Sequence, residues 1–175
     1  DHQETEQAVH ALLAMEEPAY LRLYRGDMPY SLNMPGEFQP GKIRLVRDGE
    51  DCALFATGRM VQRALEAADI LSKSNLSVSV VNVNTLTPLD VSGIIEVAEK
   101  VSCLVTVEEH AIQGALGGAI CETVAQFHPK PVLRLGFPNA FSVSGQPEAV
   151  REHYGLTAKS IARSVQSFVQ EWADS

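Results

Sequence analysis

Apolar positions recur every three or four residues at the start of the chain. Ala8, Ala11, Leu12 and Met15 fall on one face of residues 3–15, the spacing of an amphipathic helix. Pro18 stops that pattern, and Ala19–Tyr24 (AYLRLY) reads as a strand because aromatic and aliphatic residues suit a pleated surface. Arg25-Gly26-Asp27-Met28-Pro29 turns the strand off. Residues 28–42 hold Pro29, Pro35, Pro40, Gly36 and Gly41, too many breakers for a regular element. They read as a linker, with a domain boundary near Pro40.

From Lys42 the period switches back and forth. Ile43–Val46 and Cys52–Ala56 are short apolar runs, and Asp48-Gly49 between them predicts a hairpin. Thr57-Gly58 opens a helix that turns Val61, Ala64, Leu65, Ala68 and Leu71 inward. Val78–Val83 is a strand. Thr87-Pro88-Leu89-Asp90 predicts a helix start with Thr87 as the cap and Asp90 reaching back to it, and that helix buries Ile94, Ile95, Ala98 and Val101. A further apolar run (Leu104, Val105, Val107) stops at Glu108-Glu109-His110. After a loop containing Gly114, a helix follows with Leu116, Ile120, Val124 and Phe127 aligned. Pro131–Leu135 is a strand, Glu148–Tyr154 a short helix ended by Gly155, and Thr157 caps a last helix carrying Ile161, Val165, Phe168, Val169 and Trp172. This order predicts an α/β fold, a three-layer α/β/α sandwich around a mostly parallel sheet with one antiparallel edge strand.

Composition adds constraints rather than a function. Fourteen basic against twenty-two acidic side chains, a net charge of −8, argue against a nucleic-acid or anionic-membrane partner. Cys52, Cys103 and Cys121 form no CxxC and lie in apolar surroundings, so they read as buried reduced thiols of an intracellular protein. No apolar run approaches the roughly 18 residues of a membrane span, and the expectation is a soluble cytoplasmic protein. The chain opens at Asp1 inside a helical pattern, which reads as a fragment of something longer.

Candidate chemistry is sparse. Arg25, beside Gly26 at the end of a predicted strand, suits a phosphate or carboxylate; it suits equally a solvated arginine paired with Asp27. Glu108-Glu109-His110 puts two acids and an imidazole at a strand end, yet no further ligand or acid lies at metal or catalytic spacing. Hydrogen bonding at a subunit interface accounts for the trio as well. Gly114 to Gly118 is neither GxGxxG nor a P-loop, and its glycines read as close helix packing. Thr57-Gly58-Arg59 could greet an anion at a helix start, on a weak signal. His2, His10, His128 and His153 read as surface residues. No complete catalytic set emerges.

The order of the segments resembles the transketolase family of thiamine-diphosphate enzymes, in its carboxyl-terminal part or the carboxyl-terminal subunit of a split transketolase. Asp1-His-Gln-Glu4-Thr5 resembles the family's D-x-x-E-T, and Tyr20 to Pro29 (YLRLYRGDMP) the last strand and turn of its pyrimidine-binding domain. Asp51–Gly58, Asn82–Asp90 (NVNTLTPLD), Thr106–His110 and Gly114–Gly118 are similar to successive stations of the carboxyl-terminal domain. Phe141–Gly145 and Tyr154–Thr157 are closest to the transketolase branch. Deoxyxylulose-phosphate synthases carry a similar R-G turn and an E-E-N-x-x-x-G loop, and E1 β subunits of 2-oxoacid dehydrogenases a related E-E-G. The Ser144–Thr157 tail, and His110 where the synthases have Asn, favour transketolase.

The resemblance implies residues 1–30 as the end of the pyrimidine-binding domain, 31–41 as a linker and 42–175 as the carboxyl-terminal domain. It implies transfer of a two-carbon ketol unit between sugar phosphates, with Arg25 matching the substrate-phosphate arginine and no catalytic residue in this chain. Thiamine diphosphate and Mg2+ would belong to the complete enzyme and to an amino-terminal partner or subunit, with none held by this chain alone. The chain itself would contribute packing in a homo-oligomer, expected to be a dimer. From another class, a non-catalytic dimerisation or regulatory module also fits the missing acid, base and metal set.

Overall fold

The computed structural model describes residues 1–24, 32 and 37–173 of the chain. Along it run α1 (His2–Leu13), β1 (Arg44–Arg47), β2 (Cys52–Ala56), α2 (Met60–Ser72), β3 (Val78–Asn82), α3 (Val91–Ala98), β4 (Cys103–Ala111), α4 (Leu116–Phe127), β5 (Val132–Phe137), α5 (Pro147–His153) and α6 (Ala158–Ala173). The strands form one sheet in the order β1-β3-β2-β4-β5. β3, β2, β4 and β5 are parallel, and β1 joins antiparallel at the edge.

Every residue of β2 and β3 is buried, because helices cover both faces of the sheet. Cys52, Leu54, Val80 and Val105 face α2 and α6, while Ala53, Phe55, Val81 and Leu104 face α3 and α4. The continuous apolar runs of the sequence have this cause. The predicted three-layer sandwich with one antiparallel edge is the observed fold.

Local differences have identifiable reasons. Asp48-Gly49 does not close a hairpin: β1 pairs with β3, Arg44 opposite Asn82 and Leu45 opposite Val81. Parallel partners already occupy both sides of β2, so β1 takes the free edge of β3. The chain between β1 and β2 presses on the start of β3, where Ser79 Oγ donates to the Gly49 carbonyl at 2.8 Å. A Cβ on Gly49 would overlap the backbone of Val78 and Ser79, so glycine is required there by space.

Helix α3 starts later than Thr87 because Asp90 is the better cap. Its Oδ1 accepts from Gly93 N at 3.2 Å and from Lys42 Nζ at 3.1 Å, and its Oδ2 from Ile43 N at 3.1 Å. One carboxylate thus starts α3 and pins the chain entering β1. Phe127, aligned with the apolar face of α4 in sequence, is 56% exposed at the helix end. The stretch from Ala19 to Tyr24 is not a strand. It pairs with no strand of the sheet, and without a ladder an extended segment leaves its backbone groups to water. Tyr20 and Leu23 are exposed.

Candidate functional site

The connection after β2 passes through α2 to β3 on one side, and the connection after β3 passes through α3 to β4 on the other. The strand order therefore reverses between β2 and β4. Open α/β sheets keep their ligands at the carboxyl ends of strands around such a point, so this edge is where a site would sit.

Glu108 and Glu109 reach that edge on β4, which continues to Ala111 through an irregularity after Val107. The sequence places a loop there. Gly136 on β5 permits the extension, since a Cβ would come 2.8 Å from the His110 carbonyl oxygen. Glu108 is buried, and its carboxylate accepts from Leu116 N at 3.0 Å and Gly117 N at 2.8 Å. The first amides of a helix lack intrahelical partners and carry partial positive charge. A carboxylate from the neighbouring strand satisfies two of them, and Ala115 offers no side-chain cap. A Cβ on Gly117 would come 2.8 Å from Thr106 Oγ1 and 2.9 Å from Arg134 Cδ, whereas one on Gly118 would meet nothing within 4 Å. One of the two glycines is a packing requirement.

Glu109 enters a different network. Arg151 on α5, 1% exposed, donates Nε to Glu109 at 3.3 Å, Nη1 to Glu148 at 2.8 Å and Nη2 to the Tyr24 hydroxyl at 3.4 Å. Arg63 on α2 grips both oxygens of Glu148 at 2.9 Å. Burial opposes the Arg151 charge, but Glu109, Tyr24 and Glu148 outweigh it and raise the guanidinium above its ordinary pKa. From the turn after β2, the Arg59 guanidinium lies 4.4 Å from the centroid of the Tyr24 ring, a cation–π contact. Tyr24 is thus held to the carboxyl edge from two sides.

A second junction ties α1 to the sheet. Asp1 caps α1 by accepting from Glu4 N at 3.0 Å, and its other oxygen accepts from Leu32 N at 2.6 Å. Thr5 Oγ1 donates to the Asp1 carbonyl at 2.8 Å. Glu4 Oε1 accepts from Asn82 Nδ2 at 2.7 Å and from Arg44 Nη1 at 3.2 Å. The D-x-x-E-T residues therefore form a cap and a tether. Beyond it, Val9 and Leu13 of α1 are exposed, and Leu12, Leu13, Ala19 and Leu21 line an open groove of about 260 Å³.

Arg25, with Gly26 and Asp27, lies outside the described residues. His110 is exposed at the end of β4, and His2, His10 and His153 are exposed on their helices. Cys52 and Cys103 are buried opposite one another on β2 and β4. The hydrogen bond to Cys103, with burial, pushes the Cys52 thiol well up, and burial raises Cys121. Among the described residues no three acidic, histidine or cysteine side chains converge to hold a metal ion, and no helix is long and apolar enough to cross a membrane. Arg151 escaped the sequence reading, and Glu4 entered it only within the D-x-x-E-T resemblance, with no role. Arg151 sits in a run of charged residues typical of a solvated helix face, and only its tertiary partners distinguish it.

Residues 41–161 match the family profile described as transketolase, C-terminal domain. The chain belongs to this family. It is 36% identical to an uncharacterized transketolase family protein of Sinorhizobium fredii, over 99% of this chain and 50% of that one. A 1-deoxy-D-xylulose-5-phosphate synthase of Caldanaerobacter subterraneus is 38% identical over 86% of this chain and 25% of its own length. Among solved structures, a split-gene transketolase described as an inactive β4 tetramer superimposes with a TM-score of 0.91 at 33% identity, over 97% of this chain and 56% of that chain. The chain thus spans about half or less of the length of these relatives.

Complete enzymes of the family depend on thiamine diphosphate. The described residues do not suit that group or its metal. The two acids at the end of β4 are committed, Glu108 to the amides of α4 and Glu109 to Arg151, and among the described residues no acidic cluster converges for a diphosphate-bound cation.

Proposed function

We propose that this chain is the carboxyl-terminal part of a transketolase-type transferase that moves a two-carbon ketol unit between sugar phosphates. Residues 1–30 complete a pyrimidine-binding domain, 31–41 link it onward, and 42–175 form the carboxyl-terminal domain of a homo-oligomer. Arg25 binds the substrate phosphate as a bidentate guanidinium anchor. Such an anchor orients the reacting end of the sugar without taking part in bond making. Thiamine diphosphate and Mg2+ are held by an amino-terminal partner, which supplies the chemistry.

The apolar face of α1 and the segment after it carries this reading. Val9, Leu13, Tyr20 and Leu23 are exposed, Val9 and Leu13 along the groove, on the part of the chain that this reading assigns to another domain, and exposed apolar surface there supports an interface. Combining the chain with the amino-terminal thiamine-diphosphate-binding part of a split transketolase tests it. Ketol transfer should appear only in the mixture, and a mixture that binds the cofactor yet transfers nothing would remove the assignment. The 38% identity to a deoxyxylulose-phosphate synthase supports a second reading within the family. Formation of deoxyxylulose phosphate instead of ketol exchange would select it.

A further inference from the structure

Cys52 and Cys103 are the first residues of β2 and β4 and are direct partners across the ladder. Both side chains point into the layer beneath α2 and α6, where they are 0% and 1% exposed, and both are free thiols. Neighbouring strands lie about 4.8 Å apart, inside the Cα separation of about 4.4–6.8 Å that a disulfide spans. Side chains stand roughly perpendicular to a sheet. The Cβ atoms of the pair therefore keep about that 4.8 Å spacing, wider than the roughly 3.8 Å of a relaxed disulfide. A bond between them is within reach but strained, and strained disulfides are the readily reduced ones.

The surroundings distinguish the two sulfurs. The hydrogen bond from Cys52 and the Lys130 ammonium lower the Cys103 pKa against burial and Asp51, while the same bond and burial push the Cys52 thiol up. Lys130 is held there by donating Nζ to the Val101 carbonyl at 2.9 Å. The thiolate is the nucleophile of cysteine chemistry, so Cys103 attacks and Cys52 keeps its proton. Solvent lies one residue away. Asp51 and Ser102 form the outer rung before the pair, Ser102 N donating to the Asp51 carbonyl at 3.2 Å, and Ser102 is exposed. Fraying of that rung is a low-energy opening and admits a molecule as small as hydrogen peroxide.

We propose that Cys52 and Cys103 form a reversible, peroxide-sensitive disulfide site in which Cys103 attacks and Cys52 resolves. The Cys103 thiolate attacks one oxygen of hydrogen peroxide. An S–O bond forms, the O–O bond breaks, and the departing hydroxide takes up a proton and leaves as water. Cys52 then attacks the sulfur of the Cys103 sulfenic acid. The S–S bond forms, the S–O bond breaks, and the hydroxyl leaves with the Cys52 proton as a second water. The two thiols together lose two electrons and two protons, and one peroxide is reduced to two waters. Capture by Cys52 keeps Cys103 from the irreversible sulfinic step. Two molecules of a small thiol such as glutathione, oxidised to their own disulfide, restore both cysteines.

The test uses the complete protein carrying Cys121→Ser. No lysine or arginine lies between Lys100 and Lys130, so Cys103 and Cys121 would otherwise share one tryptic peptide. After exposure of the folded protein to hydrogen peroxide, unfolding and alkylation should show Cys52 and Cys103 lost to the reagent together. Non-reducing peptide mapping should join the 48–59 peptide to the one that starts at Val101, with no cross-linked dimer on a non-reducing gel, and glutathione should return both thiols. Cys52→Ala should leave a Cys103 sulfenic acid that dimedone traps and that passes on to sulfinic acid. Cys103→Ala should leave Cys52 unoxidised. If both thiols of the Cys121→Ser protein stay open to alkylation after peroxide, the pair is inert packing and not a redox site, a result that needs neither alanine variant to fold. Links between chains rather than within one, or a sulfenic acid on Cys52 in the Cys103→Ala variant, would overturn the proposal equally.

Discussion

The Glu108 carboxylate closes the amino-terminal end of α4, its two oxygens accepting from Leu116 N at 3.0 Å and Gly117 N at 2.8 Å. The side chain is 1% exposed, and both bonds join a carboxylate to backbone donors that lack helical partners. Bonds of this kind are stronger than neutral ones. Glu108→Ala strands two buried amides, and unfolding in urea should show a loss of about 2–3 kcal/mol. Glu108→Gln retains one acceptor oxygen and should lose about half as much. Equal stability of all three proteins would mean that Glu108 is not the cap.

Asp90 links stability to pH. Desolvation would raise its pKa, but the amide of Ile43, the Lys42 ammonium, the Gly93 amide and Ser92 together bring it below the ordinary carboxylate value. A depressed pKa in the folded state means that the unfolded chain takes up the proton first as pH falls. The contribution is therefore full above the unfolded value of about 3.9 and is lost as pH drops through the folded one. Asp90→Asn should be less stable than the parent at pH 7, and the gap should narrow below about pH 4. A gap that stays constant down to pH 2 in chemical denaturation would show that ionisation of Asp90 contributes nothing.

The layered fold was legible because the strands carry unbroken apolar runs and the helices a clear period. Cys52–Ala56 and Val78–Asn82, buried on both faces, could hardly be anything but inner parallel strands. Pairing was less legible, since Asp48-Gly49 is a strong local hairpin signal. The contest was decided by β4, far along the chain, which occupies the second side of β2. Glu108 ends an apolar run in sequence but continues the strand in space, because α4 supplies the hydrogen bonds that make its burial tolerable. Arg151 could not be singled out at all. Its partners lie 42 and 127 residues away at Glu109 and Tyr24, and no local pattern encodes such distances. Arg25 was read from its place beside Gly26 at a predicted strand end and from the family pattern, and it lies outside the described residues.

The neighbouring glycines of α4 should respond oppositely to alanine. At Gly118 a Cβ meets nothing within 4 Å, and the helix interior favours alanine over glycine by up to about 1 kcal/mol. Gly118→Ala should raise the unfolding midpoint accordingly. At Gly117 the same atom would come 2.8 Å from Thr106 Oγ1 and 2.9 Å from Arg134 Cδ. The Arg134 stem can shift, but Thr106 is fixed in β4, so Gly117→Ala should cost about 1–2 kcal/mol of overpacking. If the two variants shift the midpoint in the same direction, the close approach of α4 to β4 is not at Gly117.

Glu4 joins α1 to the sheet through its carboxylate. It accepts from Arg44, only 9% exposed, and from Asn82, fully buried at the carboxyl end of β3. Both donors belong to the paired strands β1 and β3, so the helix and the edge strand β1 should loosen together when the acceptor goes. Removing one partner of a largely buried ion pair costs up to about 3 kcal/mol. Glu4→Ala should therefore lower stability by about that amount and speed amide exchange in α1 and β1. Glu6, on the exposed side of the same helix, is the control, and Glu6→Ala should stay within about 0.5 kcal/mol of the parent. Two further variants separate charge from packing. Glu4→Gln keeps a hydrogen-bond acceptor for Asn82 but removes the charge facing Arg44, and should fall between the parent and Glu4→Ala. Protection of α1 unchanged in both Glu4 variants would show that the helix is held by Ala8 and its apolar contacts rather than by this tether.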